Sequence, residues 1–225
     1  MSRNFYYTIQ IAICLIFIFS FIFSLRTVRE DLIPSYMKGF YWYSFVAALI
    51  GVSATVSIIF SPNSSHSIFR TINMISLIFH FVFLSLFIFR VTTGFKIIAL
   101  KVSFYGGLVI LLMGISWNIF NNTFSFSFGF ANFLLFIYCI YYYYQLLSES
   151  PRIILFKEAS FWIITGIFVC TGLSFAPIVF TDFLVVNLPK KETRYFDLVI
   201  TISYGIMHLL FIKAYILCLT QTRRK

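Results

Sequence analysis

Two histidines stand where titratable side chains are rare. His80 and His208 each lie near the middle of a long apolar run, and each belongs to a polar row at helical spacing. The first row is Asn73, Ser76 and His80. The second is Asp197, Thr201, Tyr204 and His208, with Tyr215 two turns further on. Seven residues of helix rise about 10 Å, so each row reaches from a membrane surface to mid-membrane. Ionisable groups at that depth are costly, and their presence points to a use. Three chemistries are open to the pair: hydrogen bonding across the bundle, proton exchange near neutral pH, and ligation of haem or metal. The depth of the pair, and the lack of a further histidine on either run, weigh against ligation, so no cofactor is expected. We take Asn73, Ser76, His80, Thr201, Tyr204 and His208 as the lining of one hydrated pocket open to the outside. Two imidazolium ions about 6 Å apart would repel by roughly 3 kcal/mol at an effective dielectric of about 20. The expected state is therefore a neutral pair sharing one hydrogen bond.

Other reactive constellations are missing from the sequence. The carboxylates are Glu30, Asp31, Glu149, Glu158, Asp182, Glu192 and Asp197. None falls at mid-membrane, and none forms a catalytic pair or joins a nucleophile and base at a recognisable spacing. The expectation is a protein that is not an enzyme. Lys213 invites comparison with the linking lysine of retinal proteins. It lies toward one end of its run, however, and the first five runs hold no internal carboxylate counter-ion. It reads instead as a lysine snorkelling to the inner surface. Cys14, Cys139, Cys170 and Cys218 show no CxxC or Cys/His metal spacing and read as small buried apolar residues. The sequons Asn63-Ser64-Ser65 and Asn121-Asn122-Thr123 fall in short loops close to the membrane and read as chance.

The elements that must hold these side chains follow from composition. Of the 225 residues, 60% are hydrophobic and 11% charged, against roughly 25% charged in a soluble domain. A soluble globular domain and a disordered chain are excluded. Seven apolar runs are long enough to cross a bilayer: 5–25, 39–60, 69–89, 97–117, 124–147, 161–186 and 197–219. They are continuously apolar rather than alternating, which argues for helices against a barrel. The fold class is all-α, a polytopic seven-transmembrane-helix bundle occupying 1–225 as one domain. The first run is preceded only by Arg3 and followed by no small-residue cleavage site before Arg26, so it reads as a retained helix.

Basic residues collect on the cytoplasmic side of short loops. With the N-terminus outside, Arg3, Arg70, Lys190, Lys191 and Arg194 are outer, and the other 12 of the 17 lysines and arginines are inner. The prediction is N-out and C-in. Aromatic clusters at the helix ends, Phe40 to Tyr43 and Tyr141 to Tyr144, fit membrane interfaces. The net charge of +10 is then accounted for by topology and anionic lipid. The lipid bilayer is the expected contact, and no nucleic acid.

Small residues mark close packing. Ser44, Ala47, Ala48, Gly51 and Thr55 align on the second run; Ser103, Gly107, Gly114 and Asn118 align on the fourth. Pro177 in the sixth run removes a backbone donor and predicts a bend. The connector 148–160 carries Pro151, Arg152, Lys157 and Glu158 around an apolar stretch, the pattern of a short interfacial segment or of an extended start to the sixth helix.

The passage YYYYQLLSESPRIILFKEASFWIITGIFVCTG resembles a pattern in uncharacterised small seven-helix membrane proteins of Bacteroidetes, and SIFRTINMISLIFHFVFLSLFIF resembles their third helix more loosely. Ala159 stands where that family tends to have proline. The resemblance covers about a third of the chain and carries no catalytic residues. These proteins are often encoded near sensor histidine kinases. That implies a sensory or signalling component of the bacterial cytoplasmic membrane, relaying to a sensor histidine kinase or other membrane partner through its inner loops. The alternative is a small-solute transporter or channel. A transporter needs polar groups on both sides of the histidines, and beyond His80 the sequence FVFLSLFIF offers only Ser85.

Overall fold

Each long apolar run folds into a helix for the reason that defines membrane proteins. With no water in the hydrocarbon, the backbone must satisfy its own donors and acceptors within the segment. The computed structural model describes residues 3–28, 35–60, 66–92, 97–121, 125–149 and 155–222, and these are helical with no strand among them. In order they are α1 (Arg3–Val28), α2 (Ser35–Phe60), α3 (His66–Val91), α4 (Ile97–Asn121), α5 (Ser125–Glu149), a 3-10 turn (Leu155–Lys157), α6 (Ala159–Val179), α7 (Thr181–Asn187) and α8 (Lys190–Thr222). Six of these helices are long and apolar enough to cross a membrane, and α2 adds a shorter apolar stretch, Gly39–Ser53. The protein is a polytopic helical bundle. The Asn63-Ser64-Ser65 turn, Glu30 with Asp31, the stretch 151–154 and the side chain of Asn73 lie outside the described residues.

Packing arranges the helices as a ring. α1 lies against α2 and α8, α2 against α3, α3 against α5, α5 against α6, and α6 against α8, while α4 rides outside on α3 and α5. The α4 position explains its surface. Val102, Tyr105, Val109, Met113 and Trp117 point outward, as they should on a helix whose solvent is lipid. Gly107 and Gly114 face inward, where a Cβ would meet Leu134 Cδ1 at 2.5 Å and Ser127 Oγ at 2.7 Å. The small-residue row of α4 is thus its seam with α5. α6 and α8 meet at Gly166, where a Cβ would stand 3.1 Å from the Met207 carbonyl and 3.2 Å from Phe211.

The sixth apolar run is two helices rather than one. Pro177 cannot donate to the Leu173 carbonyl, and α6 ends two residues later. Phe180 makes the turn with φ −91° and ψ 1°, and the Thr181 hydroxyl donates to the Pro177 carbonyl at 2.7 Å. The bend expected at Pro177 is realised as this break. α8 begins at Lys190, well before the expected start at 197, and runs 33 residues. That is about 50 Å, more than the roughly 30 Å hydrocarbon core, so α8 extends beyond the hydrocarbon.

One end of the bundle is filled by rings. Phe40 lies 4.8 Å from Phe87, 4.9 Å from Phe211 and 5.0 Å from Tyr43, centre to centre, and Phe40, Tyr43, Phe211 and Tyr215 are fully buried. The Tyr215 hydroxyl is tied to Ser44 Oγ at 2.6 Å. Removing one member of a buried hydroxyl pair orphans the other, at about 1–3 kcal/mol. We expect Tyr215→Phe to lower stability by about 1–2 kcal/mol and Ser44→Ala added to it to recover part of that loss. A double-mutant cycle in thermal melts of detergent-solubilised protein checks the coupling; additive losses would mean the bond contributes nothing.

Candidate functional site

The second polar row does reach a cavity. A space of about 320 Å³ lies between α1, α2, α3 and α8, with contributions from Phe128 and the α6–α7 bend. Its polar lining is Gln10, Thr55, Ser76, His80, Thr181, Asp197, Thr201 and Tyr204. Exposure falls along α8, from exposed Asp197, through half-buried Thr201 and Tyr204, to His208 at 0%. The mouth is therefore at the end where α1 and α8 begin, and the cavity narrows toward mid-bundle. Among the described residues, Asp197 is the one charged side chain in the lining.

Each polar wall is tied down locally. Gln10 Nε2 donates to Thr201 Oγ1 at 3.1 Å and to the Tyr6 hydroxyl at 3.0 Å, which binds the start of α1 to α8. The Thr201 hydroxyl donates to the Asp197 carbonyl at 2.7 Å. His80 Nδ1 lies 2.8 Å from the Ser76 carbonyl and 3.1 Å from Ser76 Oγ, one turn earlier on α3. A ring Nδ1–H on a carbonyl fixes the tautomer, so His80 Nε2 is an acceptor. The rings of Tyr43 and Tyr204 stand edge-on to His80 at 5.4 Å and 5.8 Å. His80 and Tyr204 also line a second, much smaller space of about 20 Å³ with Asn132, Cys170 and Thr171. They are therefore the floor of the main cavity.

The six residues read from the sequence are thus divided. Ser76, His80, Thr201 and Tyr204 line one cavity. The Asn73 side chain lies outside the described residues. His208 does not line the cavity. It is fully buried, with Phe17 at 4.1 Å, Phe211 at 5.2 Å and Tyr43 stacked at 6.4 Å. Neither of its nitrogens has a hydrogen-bond partner among the described residues. The hydrogen bond expected between the two imidazoles is not formed; both rings touch Tyr43 instead. The physical reason is local: His80 finds a carbonyl on its own helix, and Phe17 occupies the cavity side of His208.

Sequence reasoning missed the α1 and α2 side of the site. Gln10, Cys14, Phe17, Gly51 and Thr55 belong to it. Gln10 was the findable one, a polar residue inside the first apolar run at four-residue spacing from Cys14. Lys213 is exposed, and its Nζ sits 3.3 Å above the centre of the Trp162 ring. It is a cation–π partner far from the cavity lining. Among the described residues no three His, Cys, Asp or Glu side chains converge as a metal-ligand set.

The chain matches no protein-family model, no curated protein and no solved structure. The site's own chemistry carries the functional argument. It offers a mostly apolar chamber of ligand size, imidazole, hydroxyl and amide groups at its floor and walls, and one carboxylate near its mouth.

Proposed function

We propose that this protein is a membrane sensory or signalling component, crossing a bacterial cytoplasmic membrane seven times with its N-terminus outside and C-terminus inside. It takes a small molecule in the outward cavity and passes the event to a membrane partner through its inner loops. A sensor histidine kinase is the partner that the family resemblance implies. The reading is non-enzymatic. The observation that carries it is one-sidedness. Beneath the His80–Tyr204 floor, the bundle is closed by the fully buried rings of Phe40, Tyr43, Phe81 and Phe211. The Ser44 and Tyr215 hydroxyls buried within that plug are bonded to each other rather than lining an open path, so the transport reading stands second.

A native thiol tests the cavity. Cys14 lines it, while Cys139, Cys170 and Cys218 are buried elsewhere. We expect a charged, membrane-impermeant methanethiosulfonate added to spheroplasts to label Cys14 at least tenfold faster than the other three, and Cys14→Ser to remove that labelling. Labelling only after permeabilisation would reverse the orientation. Uniformly slow labelling would remove the open cavity. Proteoliposomes separate the two functional readings: osmotic swelling in glycerol, urea or sucrose should equal that of empty vesicles, and faster swelling would put transport first.

A further inference from the structure

We propose that Phe17 is a gate, and that His208 behind it is an inner binding group for the hydroxyl end of a small uncharged amphiphile held in the cavity. The inference rests on the cavity reading and adds a position to it. Phe17 belongs to two places at once. One side of its ring lines the cavity; the ring also lies 4.1 Å from His208 at 44°. Phe17 therefore stands against both the chamber and the imidazole.

The ring is seated by an unusual neighbour. At Gly51 on α2, a Cβ would collide with Cδ2 and Cε2 of Phe17. Only glycine leaves room there. The Phe17 ring thus packs directly over the α2 backbone at Gly51. Phe17 itself is half-buried rather than enclosed. Turning of this half-buried ring is the movement that the gate requires.

What it hides is polar and buried. His208 is 0% exposed, and Nδ1 and Nε2 both lack partners among the described residues. Tyr43, whose ring stacks on it, has a buried hydroxyl in the same condition. Buried polar groups are nearly always paired, and an unpaired one costs about 1–3 kcal/mol. A neutral imidazole offers one donor and one acceptor, and a tyrosine hydroxyl offers both. A group that both donates and accepts complements them, and a ligand hydroxyl does both. The cavity lining includes Ile13, Phe17, Ala47 and Ile50. That lining favours an apolar body, and Asp197, the carboxylate of the cavity, stands eleven residues along α8 from His208, about 16 Å of helix rise, too far to serve a charge at that end.

Carbethoxylation by diethyl pyrocarbonate, read residue by residue by mass spectrometry on the purified full-length protein, tests this. His80 lines the cavity and is the internal reference. In the wild-type protein we expect His80 to react at least tenfold faster than His208. In Phe17→Ala we expect His208 to accelerate at least tenfold while His80 stays within twofold. Benzyl alcohol at millimolar concentration should then slow the His208 reaction in Phe17→Ala, and toluene, which lacks the hydroxyl, should not. If His80 is unreactive too, the cavity reading fails. If His80 reacts but His208 stays protected in Phe17→Ala, or already matches His80 in the wild type, the gate fails. Equal protection by benzyl alcohol and toluene would overturn the hydroxyl recognition. Should Phe17→Ala elute as aggregate, Phe17→Leu gives the same comparison with less volume lost.

Discussion

Gly166→Leu is expected to abolish the folded bundle or to lower its melting midpoint by more than about 5 °C. The α6–α8 contact closes the ring of helices, and in lipid no hydrophobic effect pulls helices together. Close backbone approach does that work. At Gly166 even a Cβ would be tight against α8, 3.1 Å from the Met207 carbonyl and 3.3 Å from Leu210 Cβ. A carbonyl on a neighbouring backbone cannot rotate away as a side chain can. Gly166→Ala should therefore already cost about 1 kcal/mol, and leucine the top of the overpacking range, about 3 kcal/mol or more. Gly106 is the control, because nothing lies within 4 Å of the position its Cβ would take. Gly106→Leu should leave the melt and the size-exclusion profile unchanged. If the two leucine variants behave alike, the α6–α8 seam is not what holds the ring closed.

His208→Leu should do the opposite and stabilise the protein. The imidazole is fully buried, and neither nitrogen is bonded among the described residues. Replacing an unpaired buried polar group with an apolar one of similar size removes a penalty of about 1–3 kcal/mol. At about 2–4 °C per kcal/mol for a chain of this size, that is roughly 2–12 °C in a thermal melt. His80→Leu should gain nothing, because that ring is bonded to Ser76 and faces the cavity. A drop in the His208→Leu midpoint would mean that the imidazole is satisfied in the purified protein. A gain in stability that goes with a loss of response is the signature of a group kept for binding rather than for folding.

The sequence by itself determined the solvent and the elements. With 11% charged residues and apolar runs of membrane length, nothing but a lipid-embedded helical bundle satisfies the backbone, and the helices follow the runs apart from the break in the sixth and the early start of the last. Thr201, Tyr204 and His80 were legible as cavity residues because polar side chains at four-residue spacing must share a helix face, and in lipid that face must turn inward. The small-residue rows of α2 and α4 were legible for the same reason: close approach leaves a mark in residue size.

Tertiary structure alone decided which faces meet. The two histidines sit at matching depth, yet depth says nothing of rotation about the helix axis. His80 turns to the cavity and His208 turns behind Phe17, a difference of helix rotation that one-dimensional spacing does not contain. The wall contributed by Gln10, Cys14 and Phe17 was hidden for a related reason. In a run that is apolar all round, no stripe tells which side of α1 faces α8. The break at Phe180 shows the same division. Pro177 announced a lost hydrogen bond in the sequence, but whether the helix bends or stops depends on where the freed chain can pack. Here the Thr181 hydroxyl captures the Pro177 carbonyl, and the short helix after it returns the chain to α8.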